Sequence, residues 1–283
     1  MTTPPATNAA REARDRFRAL AEGPDSKLDL ATGALLIAVE HEPAVDVEEA
    51  LRELEGLADL VRPRLQGAVS DHDLVARLNE CLFQEQGFHG NRDDYYEPRN
   101  SFLSAVLEHR RGIPITLCVV FIDVARRVGL DAHGISFPGH FLAKVVGESE
   151  IVVDAFRGRI LTPDDCAAQL RSTVGPSAEF TPELLATTGT RQILARMLTN
   201  LKQIYLQRQQ FEDALACCDR MLLLEPDTAL ELRDRGLLHQ ALECFEPAAR
   251  DLERFLVLAP AHESVAQVQV VLGSLRERAA KLH

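Results

Sequence analysis

The chain has 283 residues, of which 46% are hydrophobic, so it can build one large domain or two ordinary ones around a substantial core. Its formal net charge of −12 repels nucleic acid and anionic lipid, which makes both poor candidates as partners. No apolar run approaches the roughly 20 residues of a transmembrane helix, and the first residues lack the apolar centre of a signal peptide, so we expect a cytoplasmic protein.

The first part of the chain is predicted to be helical. Residues 1–10 are too polar and proline-rich to pack, and we interpret them as a flexible N-terminus. From about residue 9 to residue 86, apolar residues recur at helical spacing, in pieces separated by Pro24, Pro43 and the Ser70–Asp71 cap. Several amphipathic helices are therefore expected before any strand.

A polar stretch with two tyrosines, FHGNRDDYYEPRNS, follows these helices and is typical of an ordered loop. Asn100 or Ser101 is predicted to cap the next helix, FLSAVLEHRR, which ends at Gly112. Pro114 then begins a further helix as a first-turn proline, a position at which its missing N–H costs nothing.

After this helix the apolar period changes from helical to alternating. The segments LDAHGISF, HFLAKVV and EIVVDAF are separated by Pro138–Gly139 and by Gly147–Ser149, a pattern that predicts strands and one tight hairpin. Residues 11–175 are thus predicted to form an α+β domain, with helices first and a small antiparallel sheet after them. Residues 176–190 are rich in Pro, Gly and Thr, which indicates a linker.

Residues 191–283 contain an internal repeat. An offset of 34 residues superposes Phe211 on Phe245, Ala214 on Ala248, Leu222 on Leu256, Leu224 on Leu258 and Pro226 on Pro260. This period resembles that of tetratricopeptide repeats, helical hairpins that bury their faces only against their neighbours. We expect about two repeats and a final helix, which either bind a peptide or only pack on and stabilise the first domain.

The six cysteines and nine histidines follow no pattern of a disulfide framework or metal site. There is no CxxC pair, and only His133 and His140 are close in sequence. Reduced thiols fit a cytosolic compartment. We therefore expect no metal and no cofactor.

The hairpin can bring a histidine and an aspartate together. If Gly147–Ser149 is a three-residue loop, Val146 pairs with Glu150, and His140 and Asp154 share one face of the sheet. A four-residue loop would place the two side chains on opposite faces.

Three motifs, FHGNRDDYYEPRNSFLSAVLEHRRGIPITL, GLDAHGISFPGHFLAKV and VVDAF, resemble the signature of SirB-type proteins, in which a transglutaminase-like (papain-like) domain precedes tetratricopeptide repeats. The similarity covers most of the chain. In the wider superfamily, a Cys at a helix N-terminus, a His on one strand and an Asp on the next form a triad for acyl transfer or amide hydrolysis. The resemblance places His140 and Asp154 at the last two positions.

The cysteine position is where this chain departs from that pattern. Superfamily enzymes have Gly-x-Cys where this chain has Gly112–Ile113–Pro114. Cys118 lies one turn further along the helix, about 6 Å from its N-terminus, where the helix dipole no longer lowers a thiol pKa. It falls on the apolar stripe and is interpreted as core. Thr116, the other conceivable nucleophile, falls on the polar side and is expected to cap the first turn.

The polar loop and the EHRRG helix end could line the same cleft. Candidate ligand contacts are Asn91, Tyr95, Tyr96, Asn100, Arg110 and Arg111. The alternative is structural, because Asn and Tyr can brace a long loop and arginines complement a helix C-terminus.

Our preferred hypothesis is a non-enzymatic, degenerate transglutaminase-like protein that binds a protein or peptide through its repeats or its cleft and acts as a regulatory module. One alternative is a cysteine-dependent acyltransferase or amide hydrolase that uses Cys118, His140 and Asp154. A second alternative is a scaffold in which only the repeats act. The sequence does not indicate an oligomeric state.

Overall fold

The computed structural model describes residues 8–281, so residues 1–7 of the predicted flexible N-terminus lie outside the described range. The prediction is wrong for the next three residues, because helix α1 (Asn8–Glu22) begins at Asn8 and Ala10 is buried. The chain divides into two compact units between Met197 and Leu198. The predicted repeat domain began a few residues earlier, at residue 191.

The first unit contains the predicted helices, all of which precede the sheet in the chain except the last, which follows it. They are α2 (Leu30–His41), α3 (Val47–Leu65), α4 (Asp71–Asn79), α5 (Leu103–His109), α6 (Pro114–Arg127) and α7 (Pro163–Val174). The predicted cap at Ser70 is present, since its side chain accepts a hydrogen bond from the backbone N–H of Asp73 at 3.2 Å. A single π-helical segment, Glu80–Glu85, extends α4.

The strands form one antiparallel sheet in chain order and one short parallel pair. The sheet consists of β3 (Asp131–Ile135), β4 (Leu142–Val146), β5 (Glu150–Asp154) and β6 (Arg159–Leu161). Val146 pairs with Glu150, which confirms the three-residue hairpin loop. The parallel pair, β1 (His89–Gly90) and β2 (Arg111–Gly112), was not predicted.

Helix α6 lies at the centre of this unit. Every residue from Pro114 to Ala125 is buried, and the helix packs against α2, α3 and α5 on one side and β3 and β4 on the other. The predicted polar side of α6 is therefore wrong, since Thr116 is buried with the rest. A helix enclosed on all sides shows no clean amphipathic stripe.

The predicted caps of α5 are also wrong. Asn100 and Ser101 lie in a 3-10 turn, and the N-cap residue is Phe102, whose side chain makes no capping hydrogen bond. The helix ends at Arg110, which adopts the left-handed conformation with φ 57°, rather than at Gly112. Gly112 instead belongs to β2.

The predicted linker, 176–190, is ordered against the sheet. Thr188 forms an antiparallel bridge with Gly134 of β3, through a 2.7 Å hydrogen bond from its backbone N–H. Its hydroxyl accepts a hydrogen bond from the N–H of Ser136 at 3.0 Å. Phe180 and Leu184 pack on the apolar residues beneath. The segment thus extends the first unit.

The second unit repeats its backbone at the predicted offset. Its helices are the end of α8 (Thr190–Gln207), then α9 (Phe211–Leu224), α10 (Ala229–Ala241), α11 (Phe245–Leu258) and α12 (Val265–Lys281). Helices α9 and α11 correspond residue for residue at an offset of 34, and so do the left-handed residues Gln209 and Glu243 before them. Phe255 is fully buried at the centre of this unit. No helix among residues 8–281 is long and apolar enough to cross a membrane.

Candidate functional site

Asp154, at the end of β5, is the most heavily bonded carboxylate of the candidate site. Its fully buried side chain accepts hydrogen bonds from His140 Nε2 at 3.1 Å and from the backbone N–H groups of Phe156 and Arg157 at 3.1 Å. Arg157 Nη1 adds an ion pair at 2.6 Å. The structure thus places His140 and Asp154 in contact, as the three-residue loop predicted.

These partners determine the protonation of Asp154. Burial by itself raises the pKa of the carboxyl, but the hydrogen bond and charge of His140 and those of Arg157 lower it further than burial raises it. The net result is a pKa below the ordinary value, so Asp154 is ionised at neutral pH. The carboxylate therefore holds the imidazole and the β5–β6 turn together.

His140 lies in the turn before β4 rather than on the strand. Its backbone N–H donates to the carbonyl of Phe137 at 3.0 Å, and its own carbonyl accepts a 3.1 Å hydrogen bond from Arg196 Nη2. The ring meets Phe156 edge-on at 6.2 Å between centroids. These backbone hydrogen bonds, the Asp154 contact at Nε2 and the neighbouring Phe156 ring together fix where the imidazole points.

Cys118 is sealed in the core. Its side chain is fully buried, and Sγ lies 3.6 Å from the carbonyl oxygen of Phe141, to which it donates. Burial raises the pKa of this thiol well above its ordinary value, and the nearby charge of Asp154 adds to the effect. A thiol in this state is neutral at pH 7 and a poor nucleophile.

The tip of α6 offers no other nucleophile. Pro114 occupies the first helical position, and the hydroxyl of Thr116 accepts a hydrogen bond from Ile113 N–H at 3.2 Å while it donates to the Asn100 carbonyl at 2.7 Å. The prediction that Thr116 caps the first turn is confirmed. Its oxygen is buried and engaged in the loop it braces.

Asn91 and Asn100 brace the polar loop from within. Asn91 Nδ2 donates to Asn100 Oδ1 at 3.0 Å, and Asn91 Oδ1 accepts from Asp94 N–H at 3.2 Å. Asn100 Nδ2 donates to the carbonyls of Asp94 at 2.6 Å and Tyr95 at 3.3 Å. Both amides are buried and occupied in these contacts, which agrees with the structural alternative for this pair.

Tyr95 and Tyr96 remain at the surface of the same loop. Tyr95 packs edge-on against Tyr96 at 5.3 Å and against Phe156 at 6.2 Å, and partial burial raises the pKa of its hydroxyl. Tyr96 is 61% exposed. Of the two tyrosines, Tyr95 contacts Phe156, whose ring also meets His140.

Arg110 and Arg111, adjacent in sequence, face different surroundings. Arg110 forms a 2.9 Å ion pair with Glu53 and stacks over Phe88 at 4.6 Å, so its guanidinium is built into the fold. Arg111 is exposed and lines a pocket. Only the second arginine is free to meet a ligand.

This pocket has a volume of about 500 Å³ and lies beside Phe156. It is lined by Phe83, Gln84, Phe88, His89, Gly90, Asn91, Arg92, Asp93, Arg111, Phe156, Arg157 and Gly158. The β1–β2 pair forms one wall, because Gly90 N–H donates to the Phe156 carbonyl at 3.2 Å. The volume is within the range of small-molecule sites.

Gly90 is needed for this wall. A Cβ on Gly90 would lie 2.4 Å from two ring carbons of Phe156, so we expect Gly90→Ala to displace the ring and lower the free energy of unfolding by about 1–2 kcal/mol in urea titrations. Gly56→Ala is the control, since that glycine lies within α3 with open space around it. It should raise stability by about 0.5–1 kcal/mol. A neutral Gly90→Ala would show that the ring is not held there.

Three side chains beside His140 and Asp154 were not predicted from the sequence: Phe156, Arg157 and Arg196. Arg157 follows Asp154 by three residues, a spacing that could have suggested an ion pair across a turn. Arg196 could not have been found, because it is 56 residues from His140 in the chain. Among the described residues no group of three or more His, Cys, Asp or Glu side chains could hold a metal ion.

Fold and site together define a class of protein. Residues 48–199 match the family described as Transglutaminase-like superfamily, and residues 201–273 match the family described as Tetratricopeptide repeat. The predicted fold class, an α+β transglutaminase-like domain followed by an all-α repeat domain, is confirmed.

Similarity to related proteins covers most of the chain. A UPF0162 protein of Xylella fastidiosa is 35% identical over 94% of this chain and 97% of its own length. A UPF0162 protein of Vibrio cholerae is 33% identical over 82% of this chain and 87% of its own, and protein SirB1 of Salmonella typhimurium is 25% identical over the same shares. The chain belongs to this family of SirB1 and UPF0162 proteins, as its motifs suggested.

Proposed function

We propose that this chain is a non-enzymatic, degenerate transglutaminase-like protein that binds a protein partner and works as a regulatory module. One observation carries the proposal: Pro114 occupies the first position of α6, and the one thiol on that helix, Cys118, is buried with a raised pKa. Cysteine-dependent acyl transfer requires an accessible thiolate next to the imidazole.

The retained His140–Asp154 pair has a structural explanation that does not involve turnover. Asp154 also accepts two backbone N–H bonds and the Arg157 ion pair, so its charge orders the turn after β5. Loss of His140 or Arg157 would leave the buried carboxylate of Asp154 with fewer hydrogen bonds, at a cost in stability. This cost supports retention of the pair after a nucleophile has gone.

The repeats supply the surface for a partner. Tetratricopeptide units commonly present binding surfaces for peptides. In this unit an apolar depression of about 260 Å³ is lined by Leu206, Phe211, Asp234, Leu237, Leu238 and Ala241. Leu206 is 39% exposed, so its side chain offers apolar surface to a partner at this depression.

Alkylation of the native protein tests the non-enzymatic half of the proposal. Iodoacetamide should modify exposed Cys244 first, whereas Cys118 should react only after denaturation, because its thiol is buried and protonated. Peptide mass spectrometry locates the label, and Cys244→Ser should abolish the fast reaction. Rapid native labelling of Cys118 would instead favour the acyltransferase that uses Cys118, His140 and Asp154.

A charge introduced into the depression tests the partner-binding half of the proposal. Leu206→Asp in the full chain should release at least about nine tenths of a partner captured from a cell extract, since one buried carboxylate opposes an apolar contact strongly. Val257→Asp is the control, because Val257 is 68% exposed and does not line the depression. Equal capture by both variants would remove the depression from the proposal.

A further inference from the structure

We infer that the pocket beside Phe156 binds a small organic anion, an aromatic or other flat molecule that carries a phosphate or carboxylate group. The juxtaposition that supports this is three arginines, Arg92, Arg111 and Arg157, which line one pocket together with the Phe156 ring in a chain of net charge −12. The site is separate from the partner surface proposed on the repeats, so either can fail without the other.

Two of these three arginines lack a carboxylate partner in the part of the chain that the structure describes. Most arginines of the first unit have a carboxylate partner, for example Arg62 with Glu55 at 2.6 Å. Arg92 and Arg111 have none among the described residues, although both line the same pocket. A guanidinium offers five N–H donors in a planar fork that matches carboxylate and phosphate oxygens.

Arg157 contributes part of a third donor set. Its Nη1 is used by Asp154 at 2.6 Å and by Gln169 at 3.2 Å. Its Nε and Nη2 have no protein acceptor among the described residues, and its side chain is 41% exposed. The buried carboxylate of Asp154 thus holds this arginine at the edge of the pocket while leaving donors free.

The negative groups nearby do not cancel these charges. Asp93 is the one carboxylate among the described lining residues, and it forms no ion pair with the three arginines. His89 also lines the pocket, with Nδ1 at 2.8 Å from the Gly87 carbonyl. Asp154 offsets the charge of Arg157 and Asp93 offsets one other arginine, so these side chains keep a net positive charge. That charge is opposite in sign to the charge of the whole chain and favours an anion in this pocket.

The aromatic surfaces specify the rest of the ligand. Phe156 is half-buried, and the Arg92 guanidinium lies 6.0 Å from its ring centroid. Phe83 and Phe88 also line the pocket, and the absence of a side chain at Gly90 lets the β1–β2 pair approach the Phe156 ring. A flat ligand can therefore stack while its oxyanion meets Arg92 and Arg111.

Titration calorimetry with defined probes tests this assignment on the full chain. Phenyl phosphate or benzoate should bind with a Kd of about 0.1–1 mM and more weakly as NaCl is added, whereas benzyl alcohol should not bind. The stronger of the two anions identifies the preferred oxyanion. Chemical-shift changes in NMR spectra should centre on the amides of Gly90, Phe156 and Arg157.

Charge-neutral variants provide the decisive comparison. Arg92→Gln and Arg111→Gln should each weaken binding about tenfold, and the double variant should abolish it, because each removes one charged donor set. Both side chains are exposed, so the fold should be kept. Arg171→Gln, at an exposed arginine of α7 outside the pocket, should bind as the parent does.

Three results would overturn the assignment. These are parent-like binding by the double variant, equal binding of benzyl alcohol, and binding of a hexaglutamate peptide in this pocket more tightly than either aromatic anion. The last would identify an acidic protein segment as the occupant.

Discussion

Asp154→Ala is expected to lower the free energy of unfolding by about 3–5 kcal/mol, the range found when one member of a buried, hydrogen-bonded charge cluster is removed. The substitution leaves His140 Nε2, the Arg157 guanidinium and two backbone N–H groups without their acceptor. Urea unfolding at pH 7 measures the loss. Asp154→Asn should lose less, because an amide oxygen still accepts one of these bonds.

Asp131→Ala is the matched control for that measurement. Asp131 also pairs with a histidine on this sheet, His133, at 2.8 Å, but the aspartate side chain is 65% exposed. Water replaces the lost contact there, so the change should stay within about 1 kcal/mol. Similar losses for both variants would show that burial does not govern the His140–Asp154 pair.

The same carboxylate predicts a dependence of stability on pH. Since the folded pKa of Asp154 is depressed, its contribution is fully present above its ordinary pKa of about 3.9. The contribution is lost as pH falls through the lower folded pKa. The stability difference between the parent and Asp154→Ala should therefore be constant near neutrality and shrink below about pH 4. A difference that persists unchanged in acid would contradict the depressed pKa.

Phe255→Ala should destabilise the repeat unit by about 3–5 kcal/mol. Phe255 is fully buried, contacts the apolar residues of α10, α11 and α12, and meets His262 edge-on at 5.7 Å. Truncation leaves a cavity that rigid helices cannot close. Circular dichroism during thermal unfolding should show the loss.

Val257→Ala, two residues further along α11, provides the comparison. Val257 is 68% exposed, so removing its methyl groups should change stability by no more than about 0.5 kcal/mol. If Phe255→Ala were equally mild, the packing of the second unit around that ring would be wrong.

Elements with a strong local period could be predicted from the sequence. The alternating segments left a three-residue and a four-residue hairpin loop open, and only the first puts His140 and Asp154 on one face of the sheet. The structure has the three-residue loop, with Val146 paired to Glu150 and the two side chains in contact. The offset of 34 residues predicted that α9 and α11 are equivalent helices, because their apolar residues recur at the same positions. Cys118 could be assigned to the core because it lies a full turn inside an apolar helix.

The remainder depended on contacts between distant segments. The β1–β2 pair joins residues that are 22 positions apart in the chain. Because each strand has only two residues, the sequence contains no alternating pattern that could have predicted the pair. Asn100 is a residue type that often caps helices, yet its side-chain amide donates instead to the carbonyls of Asp94 and Tyr95 in the loop. The basic pocket could not be predicted either, since its three arginines come from three separate segments.

Proline at the start of α6 has a consequence beyond the missing sulfur. In acyl-transfer sites a backbone N–H at a helix N-terminus can steady the negative oxygen of the tetrahedral intermediate, and proline has no such hydrogen. A thiol at Cys118, four residues further along the helix, would still lack a backbone N–H at position 114 to stabilise that oxygen. Pro114→Cys is the one replacement at this position that supplies both the nucleophilic sulfur and the backbone N–H. The identity of this single residue therefore decides whether the helix N-terminus has a nucleophile and an oxyanion-hole donor.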